Sequence, residues 1–387
     1  MDFRESDERQ ALREAVAALG AKYGPEYMRD KASTGGKTTE LWTEAGKLGY
    51  LGVNLPTEYG GGGGGIGDLA AVCEELGAAG CPLLLMVVSP AICGTIISRY
   101  GTDEQKQRWI PPLADGSLTM VFAITEPDAG SNAHRITTTA RRDDSGTGWR
   151  LSGQKVFISG VDEAASVLVV ARTEDAKTGD LKPALFVVPT DADGLTYQQI
   201  EMEFPSPEKQ FTVFIDDVAL PADALVGDED AALLQLFAGL NPERIMASAF
   251  SLGIARYALD KAVAYAKSRK VFKEPIGAHQ AIAHPLAQAA IEIEQAKLLT
   301  AKAAWLYESG EDLAAGEAAN MAKYAAAEAA VRTVDAAVQT HGGNGLTREY
   351  GVGALLGAAR VARIAPVSRE MILNFVAMHT LGLPKSY

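Results

Sequence analysis

The chain has 387 residues, 47% hydrophobic and 22% charged, and a formal net charge of −13 from 36 basic and 49 acidic side chains. That length exceeds one compact core and predicts two or three domains in a soluble globular protein. The acidic balance argues against nucleic acid or an anionic membrane as the main partner, because both demand a cationic face.

The opening "MDFRESDERQALREAV" is acidic and amphipathic, unlike a signal peptide or an Arg-rich transit segment. No apolar run reaches membrane-spanning length; "LLLMVVSPAI" is short and contains Pro90. Cys73, Cys81 and Cys93 are odd in number and lack metal-type or redox-type spacing, which predicts buried thiols in a reducing cytoplasm.

To about residue 115 apolar residues recur every three or four positions, as in "DERQALREAVAALGAKYG" and "DLAAVCEELGAAG", and predict helices. The glycine run "YGGGGGGIGD" reads either as a flexible surface loop or as a phosphate contact. From about 118 to 225, short alternating runs such as "SVLVVAR" and "PALFVVP" predict antiparallel strands. The helical period returns from about 231 in long Ala-rich segments that suggest a bundle. The expected division is a helical domain over 1–117, a β domain over 118–228 and a helical bundle over 229–387. Such an α–β–α order is not a doubly wound dinucleotide fold.

Five stretches are candidates for chemistry. "FAITEPDAGSN" (122–132) opens as a strand and is stopped by Pro127. It reads as a capped turn, or as backbone left free for the polar edge of a flat ligand, with the Ser131 hydroxyl beside it. In "QKVFISG" (154–160), strand alternation puts Phe157 and Ser159 on one face and Val156 and Ile158 on the other. An aromatic beside a hydroxyl suits a ring, and a half-buried strand with a mixed face is the plain alternative. In "LNPERIM" (240–246), Asn241 before Pro242 reads as a helix start with Glu243 in its first turn, yet Glu243 is also the kind of group that takes a proton. "RKVFKEPIGAHQ" (269–280) and "QTHGGNG" (339–345) complete the set; the Gly-Gly pair suits either a phosphate or a helix stop. The five histidines form no zinc-type cluster, so no metal is expected, and no Ser elbow or Walker loop is present.

In order and spacing, these segments resemble the acyl-CoA dehydrogenase family over nearly the whole chain. "TEPDAGSN" is similar to its T-E-P-x-A-G-S-D signature, with Asn132 for Asp, and "QKVFISG" to its G-x-K-x-W-I-T/S stretch, with Phe157 for Trp. "RKVFKEPIGAHQ" keeps Arg269, Phe272 and Gln280 of R-x-x-F-G…Q but has Lys273 for Gly. The resemblance implies an α+β chain: an N-terminal helical domain, a central antiparallel β-barrel and a C-terminal four-helix bundle, with FAD between barrel and bundle. Phe122, Ile124 and Thr125 would border the flavin ring, Gly130 and Ser131 would line cofactor and thioester, Phe157 would cover the ring and the Ser159 hydroxyl would approach its reactive nitrogen. Glu243 and Arg269 lie 26 residues apart on one expected helix, about 39 Å, farther than one FAD bridges. In the family, positions matching Arg269, Phe272, Gln280, Gln339 and Gly343 hold the adenine and pyrophosphate of a neighbouring subunit's FAD. At least a dimer is implied, and a dimer of dimers is usual.

Dehydrogenating a thioester requires a carboxylate for the weakly acidic α proton and donors to the thioester oxygen. Many relatives place that Glu shortly after G-G-N-G; the same count from Gly342 lands here on Pro366, which is neither an acid nor a backbone donor. Either Val367 donates in its place or one donor is absent. A second branch, the isovaleryl-CoA and long-chain dehydrogenases, carries the base on the long helix before an Arg. Glu243-Arg244 fits that position, and Arg244 to Arg269 spans the 25 residues the motif uses. A helix N-terminus there would favour the ionised acid at rest. Arg244 would orient the thioester region or pair on the surface, and Ala365, where many relatives have Tyr, implies a roomier pocket. The expected function is FAD-dependent dehydrogenation of an acyl-CoA in the cytoplasm, with electrons passed to an electron-transfer flavoprotein. The alternatives are a non-catalytic subunit of a heteromeric enzyme, such as a heterotetramer, and a flavin oxidase or monooxygenase on the same fold.

Overall fold

A computed structural model of the protein describes residues 4–174, 178–204, 206–228 and 232–385. The expected boundary at 228/229 adjoins residues 229–231, which lie outside the described residues. The chain begins with helices α1 (Asp7–Thr34), α2 (Thr39–Lys47), α3 (Ile66–Ala78), α4 (Leu85–Val88), α5 (Thr95–Tyr100) and α6 (Asp103–Ala114). Strands follow: β1 (Met120–Ala123), β2 (Thr139–Arg142), β3 (Gly148–Ser159), β4 (Ser166–Glu174), β5 (Leu181–Pro189), β6 (Leu195–Ile200), β7 (Gln210–Pro221) and β8 (Leu225–Val226). Then come α7 (Ala232–Ser268), a hairpin of β9 (Lys270–Val271) and β10 (Glu274–Pro275), α8 (Gln280–Glu308), α9 (Asp312–His341), α10 (Leu355–Val361) and α11 (Arg369–Phe375). The α–β–α order expected from the periodicity is present. By its contacts the chain divides into two compact units, Arg29–Gly65 with Leu84–Glu243, and Met1–Met28 with Ile66–Leu83 and Arg244–Tyr387.

The first unit holds the sheet, ordered β6-β7-β3-β2-β4-β5-β8 with β1 beside β4. Two expectations are corrected here. The sheet is mixed, because β1 and β2 each pair parallel with β4. It is also not a closed barrel: β6 and β8 are its ends. Along β6, Thr196 to Gln199 are all exposed, the polar character of an edge left open to water. Leu168, Val170, Leu185 and Val187 of the sheet pack with Ile92, Ile96 and Leu113 from the helices before it. The glycine run is an ordered turn. Amides of Gly61, Gly62, Gly63 and Gly64 donate to carbonyls of Pro56, Gly52, Leu55 and Val53 at 2.8–3.0 Å, so these four donors are engaged within the chain. A Cβ on Gly61 would lie 2.2 Å from the Leu55 carbonyl oxygen, so only glycine fits.

Helix α7 overturns a third expectation. It begins at Ala232 and carries Pro242 inside it, so Asn241 and Pro242 do not start it. Proline in a helix interior costs about 3 kcal/mol, and tertiary packing offsets that here. Leu236 and Ala238 are buried, and a Cβ on Gly239 would lie 2.6 Å from Ile96. Glu243 therefore stands 11 residues in from Ala232. The first-turn dipole argument does not apply to it, since that effect fades within a turn.

The second unit is helical, and its core is built largely from alanine. Ala255, Ala258, Ala262 and Ala266 of α7 meet Ala296 of α8 and Ala326, Ala330 and Ala337 of α9. Alanine is the best helix former and lets backbones approach closely. In place of one long fourth helix, the short α10 and α11 pack on α9. Arg13 of α1 reaches Glu74 (3.0 Å) and Glu75 (2.7 Å) of α3, and Arg256 of α7 reaches the same two acids at 2.7 Å each. Burial would raise the Glu75 carboxyl, but the two guanidiniums outweigh it and hold it below its ordinary value. Beside this network α3 meets α7 glycine to glycine. A Cβ on Gly253 would stand 2.7 Å from the Glu74 carbonyl oxygen and 2.8 Å from Gly77 Cα. We expect Gly253→Val to lower the unfolding free energy by about 1–3 kcal/mol, the usual cost of forcing bulk into a packed contact. Denaturant titration checks this, and an unchanged midpoint refutes the close-crossing account.

Candidate active site

In the sheet unit, β1 ends at Ala123, and Glu126 and Ala129 then bridge each other around Pro127 and Asp128. The expected turn is therefore real, and Gly130, Ser131 and Asn132 are exposed beyond it. Glu126 is 4% exposed and organises the segment. Its Oε1 accepts from Lys155 Nζ (2.8 Å), Thr138 N (2.9 Å) and Thr138 Oγ1 (2.6 Å), and its Oε2 from Thr137 N and Thr137 Oγ1. Burial would raise the Glu126 carboxyl, but these donors prevail and hold it at about 2. Lys155 Nζ also donates to the Ile124 carbonyl (3.1 Å), and Val156 N to the Thr125 carbonyl (2.9 Å). Strand β3 thus ties down the backbone of Ile124 and Thr125, with Phe122 buried just before them.

Simple alternation fails in β3. Lys155 pairs with Val213 and Ile158 with Phe211, so one extra residue is inserted between them, and Phe157 takes φ +59°. The bulge removes Val156 from the buried face, which it was expected to share with Ile158; Ile158 is buried and Val156 is only half-buried. Phe157 is 58% exposed. A bulky residue at positive φ costs on the order of 1–3 kcal/mol and tends to be kept where function uses it. Ser159 Oγ and the Gln210 side-chain amide exchange two hydrogen bonds, Oγ donating to Oε1 (3.0 Å) and Nε2 donating to Oγ (2.9 Å). The bonds from β3 hold Ile124 and Thr125 beside the strand that carries Phe157 and Ser159, so an exposed aromatic stands close in sequence to fixed polar groups. That set fits a flat heteroaromatic ring.

In the helical unit, Arg269, Phe272 and Gln280 follow α7 in sequence. Arg269 continues its last turn through a bond to the Tyr265 carbonyl (2.8 Å), Phe272 sits at φ +58° and 96% exposed, and Gln280 opens α8. Gln339 is exposed near the end of α9, and Gly342 stops that helix at φ +58°. Space beside Gly343 is open. An aromatic stack joins these places: the Tyr265 and His341 rings lie 4.4 Å apart, and Asn344 Nδ2 donates to Tyr265 Oη (3.0 Å). The structure thus gathers all five residues at one end of this unit. The glycine pair follows a helix C-terminus, whose dipole disfavours phosphate, so Arg269 is the available counter-charge there.

Glu243 is half-buried in α7. It lies within electrostatic reach of Cys93, whose thiol is pushed well up by burial and then by the Glu243 charge. Cys73, Cys81 and Cys93 are all buried free thiols, as expected. Arg244 is half-buried in the helical unit. There the segment around Pro366 is held to α9: Lys323 Nζ donates to the Val367 carbonyl, Glu328 pairs with Arg363 and Arg369 (3.1 Å to the latter), and the Arg369 guanidinium lies 5.9 Å from the centre of the Tyr324 ring. Glu126, Lys155, Gln210, Tyr265 and Asn344 were not among the expected site residues. Glu126 and Lys155 stand inside the quoted motifs, but nothing local says that they pair. Among the described residues, no helix is long and apolar enough to cross a membrane and no cluster could hold a metal.

An N-terminal helical segment, a mixed sheet and an alanine-lined bundle give the chain an α–β–α architecture. Models of the acyl-CoA dehydrogenase N-terminal, middle and C-terminal domains match residues 6–117, 121–218 and 234–381, and the chain belongs to the acyl-CoA dehydrogenase family. It is 68% identical to the acyl-CoA dehydrogenase FadE12 of Mycobacterium tuberculosis H37Rv, over all of this chain and 99% of that one. Butyryl-CoA dehydrogenase from Megasphaera elsdenii superposes with a TM-score of 0.92 at 29% identity, over 98% of this chain and all of that one. PigA with FAD and proline superposes at 0.92 with 25% identity, over 99% of this chain and all of that one. The family is flavin-dependent, and FAD is its cofactor.

Glu126 has a folded pKa of about 2, below its ordinary 4.5. Its pairing therefore stabilises the fold fully above about 4.5, and the contribution fades as pH falls toward 2. Acid unfolding followed by circular dichroism should show this slope, and Glu126→Gln should flatten it. An unchanged slope in that variant would remove Glu126 from the account.

Proposed function

We propose that this enzyme dehydrogenates an acyl-CoA thioester across its α and β carbons, with Glu243 as the base that takes the α proton. The observation that carries the reading is the ring seat on the sheet, where exposed Phe157 is tied through Val156 to Thr125. Phe122, Ile124, Thr125, Gly130, Ser131, Phe157 and Ser159 would hold the isoalloxazine end of FAD. Arg269, Phe272, Gln280, Gln339 and Gly343 would hold the adenine and pyrophosphate of a neighbouring subunit's FAD, in a dimer of dimers. When bound, FAD supplies the acceptor for the β hydride. Ser131 and Arg244 would meet the thioester region, and Ser159, held by Gln210, would lie at the ring edge. Division of the chain at 117/118 and 228/229 follows the same reading.

An electron-transfer flavoprotein is the proposed acceptor, in fatty-acid β-oxidation in the cytoplasm. Acyl-CoA turnover with an artificial electron acceptor and little peroxide would agree with this, and stoichiometric peroxide would favour the oxidase. A thioester panel should extend to branched or bulky acyl groups, because Ala365 implies room. A second reading has one specific observation behind it. Pro366 offers no backbone donor to a thioester oxygen, and losing one such donor costs on the order of 10²–10³ in rate. A chain inactive until a partner subunit is added would favour a non-catalytic subunit of a heterotetramer. Glu243→Gln should keep FAD and lose turnover by several orders of magnitude. Near-normal turnover would exclude Glu243 as the base.

A further inference from the structure

Ser159 and Gln210 are register partners in the antiparallel pairing of β3 with β7. Ser159 Oγ donates to Gln210 Oε1 (3.0 Å) and accepts from Gln210 Nε2 (2.9 Å), so both ends of one side-chain amide close on one hydroxyl. A serine hydroxyl has one proton to give and two lone pairs to offer. The amide takes the proton and one lone pair, and a single lone pair is left. Turning the amide end for end keeps that count, because one of its two atoms is always the acceptor and the other the donor. The backbone around the pair is held as well. Gly160 N donates to the Lys209 carbonyl (2.9 Å). Just before Lys209, Glu208 is 4% exposed and accepts from Leu84 N (3.3 Å) and Ser206 Oγ (3.1 Å). Gln210 therefore reaches Ser159 from a strand start that is tied down on both sides.

We propose that Gln210 is a positioning residue that makes Ser159 a hydrogen-bond acceptor toward the flavin ring edge, and so biases the bound cofactor toward its reduced form. The inference rests on the placement of Ser159 at that edge in the proposed function, and concerns what its hydroxyl can offer there. The reactive ring nitrogen bears a lone pair when oxidised and a hydrogen when reduced. A hydroxyl free to rotate serves both forms, donating to the first and accepting from the second. A hydroxyl whose proton is engaged by Gln210 serves the second alone, and in the first it sets lone pair against lone pair. For Ser159 to donate to the ring instead, the Gln210 carbonyl must give up its partner, which cancels much of the bond gained. The bias amounts to about one hydrogen bond, on the order of tenfold in the ratio of the two forms. It favours removal of hydride from a saturated thioester.

The test measures the reduction potential of the purified full-length protein with its FAD, by titration against a reference dye, in the wild type, Gln210→Leu, Ser159→Ala and the double variant. The potential is read on the flavin-bearing fraction, so a weaker hold on FAD does not mask it. Gln210→Leu frees the hydroxyl proton for the oxidised ring and should lower the ratio of reduced to oxidised flavin about tenfold at a fixed poise, about 30 mV for a two-electron couple. Ser159→Ala removes the acceptor and should move the potential in the same direction. The double variant should match Ser159→Ala, because Gln210 acts through the hydroxyl. A potential that falls in Ser159→Ala but stays in Gln210→Leu overturns the role of Gln210 and leaves the placement of Ser159 standing. A Gln210→Leu shift that persists on top of Ser159→Ala shows direct action on the ring and overturns that role too. A rise in Ser159→Ala shows a donated proton and overturns the acceptor. A potential unmoved in both single variants overturns the placement of Ser159 at the ring edge and the inference with it.

Discussion

Burying an ammonium group costs several kcal/mol unless a carboxylate and further acceptors meet it. Lys155, with none of its side chain exposed, satisfies that condition through Glu126 and the Ile124 carbonyl. Glu126 is satisfied in turn by Thr137 and Thr138, from backbone and hydroxyl alike. The consequence is geometric. The segment leaving β1 cannot drift from β3, and the strand that supplies the lysine is the one that bulges two residues later to expose Phe157. Removing one partner would leave an uncompensated buried charge, which costs more than the pair contributes. The segment after β1 is therefore secured to β3 by buried electrostatics as well as by the apolar packing of Phe122 and Ala129.

How much of this was legible in the sequence depended on how local each signal was. The α–β–α order was readable because periods of two and of three to four repeat over many residues, and Phe157 and Ser159 stood out as an aromatic and a hydroxyl within an otherwise apolar run. What eluded the sequence was set by partners far along the chain. Pro242 reads as a helix start because its cost is local, while the burial of Leu236 and Ala238 that offsets it is not. The bulge exists only relative to β7, and Gln210 meets Ser159 only once the two strands pair. A run of six glycines promised mobility or phosphate, but its amides close on residues 52–56, a contact that no composition rule encodes. The open edge at β6 and the parallel pairs of β4 are likewise pairing facts, invisible strand by strand.

The helical unit relies on the opposite device. Its core is made of alanine, so positions are fixed by close backbone approach, and charge is confined to places where a helix must not slide. Arg13 and Arg256 grip Glu74 and Glu75 next to the Gly77 and Gly253 contact. Around Tyr265, stacking on His341 and the Asn344 bond fix the end of α7 against the turn after α9. Large side chains left over in such a unit have few inward places to go. Ile291, Leu298 and Trp305 accordingly point outward.

The electrostatics of the two possible base positions differ in kind. A carboxylate at position 366 would stand in a segment bounded by Arg363 and Arg369, and cations beside a carboxylate lower its pKa and weaken it as a base. Those two arginines already serve Glu328. Glu243 has different surroundings. Its helix start lies 11 residues back, so no terminal dipole stabilises its anion. The Cys93 thiol near it is pushed well up, first by burial, and so stays neutral. Ile245 and Met246, just beyond it in sequence, are fully buried. Under the proposed reading, an acyl chain displacing water from this half-buried carboxylate would raise its basicity. On that reading the proline at 366 and the acid at 243 belong together, the base standing at one position instead of the other.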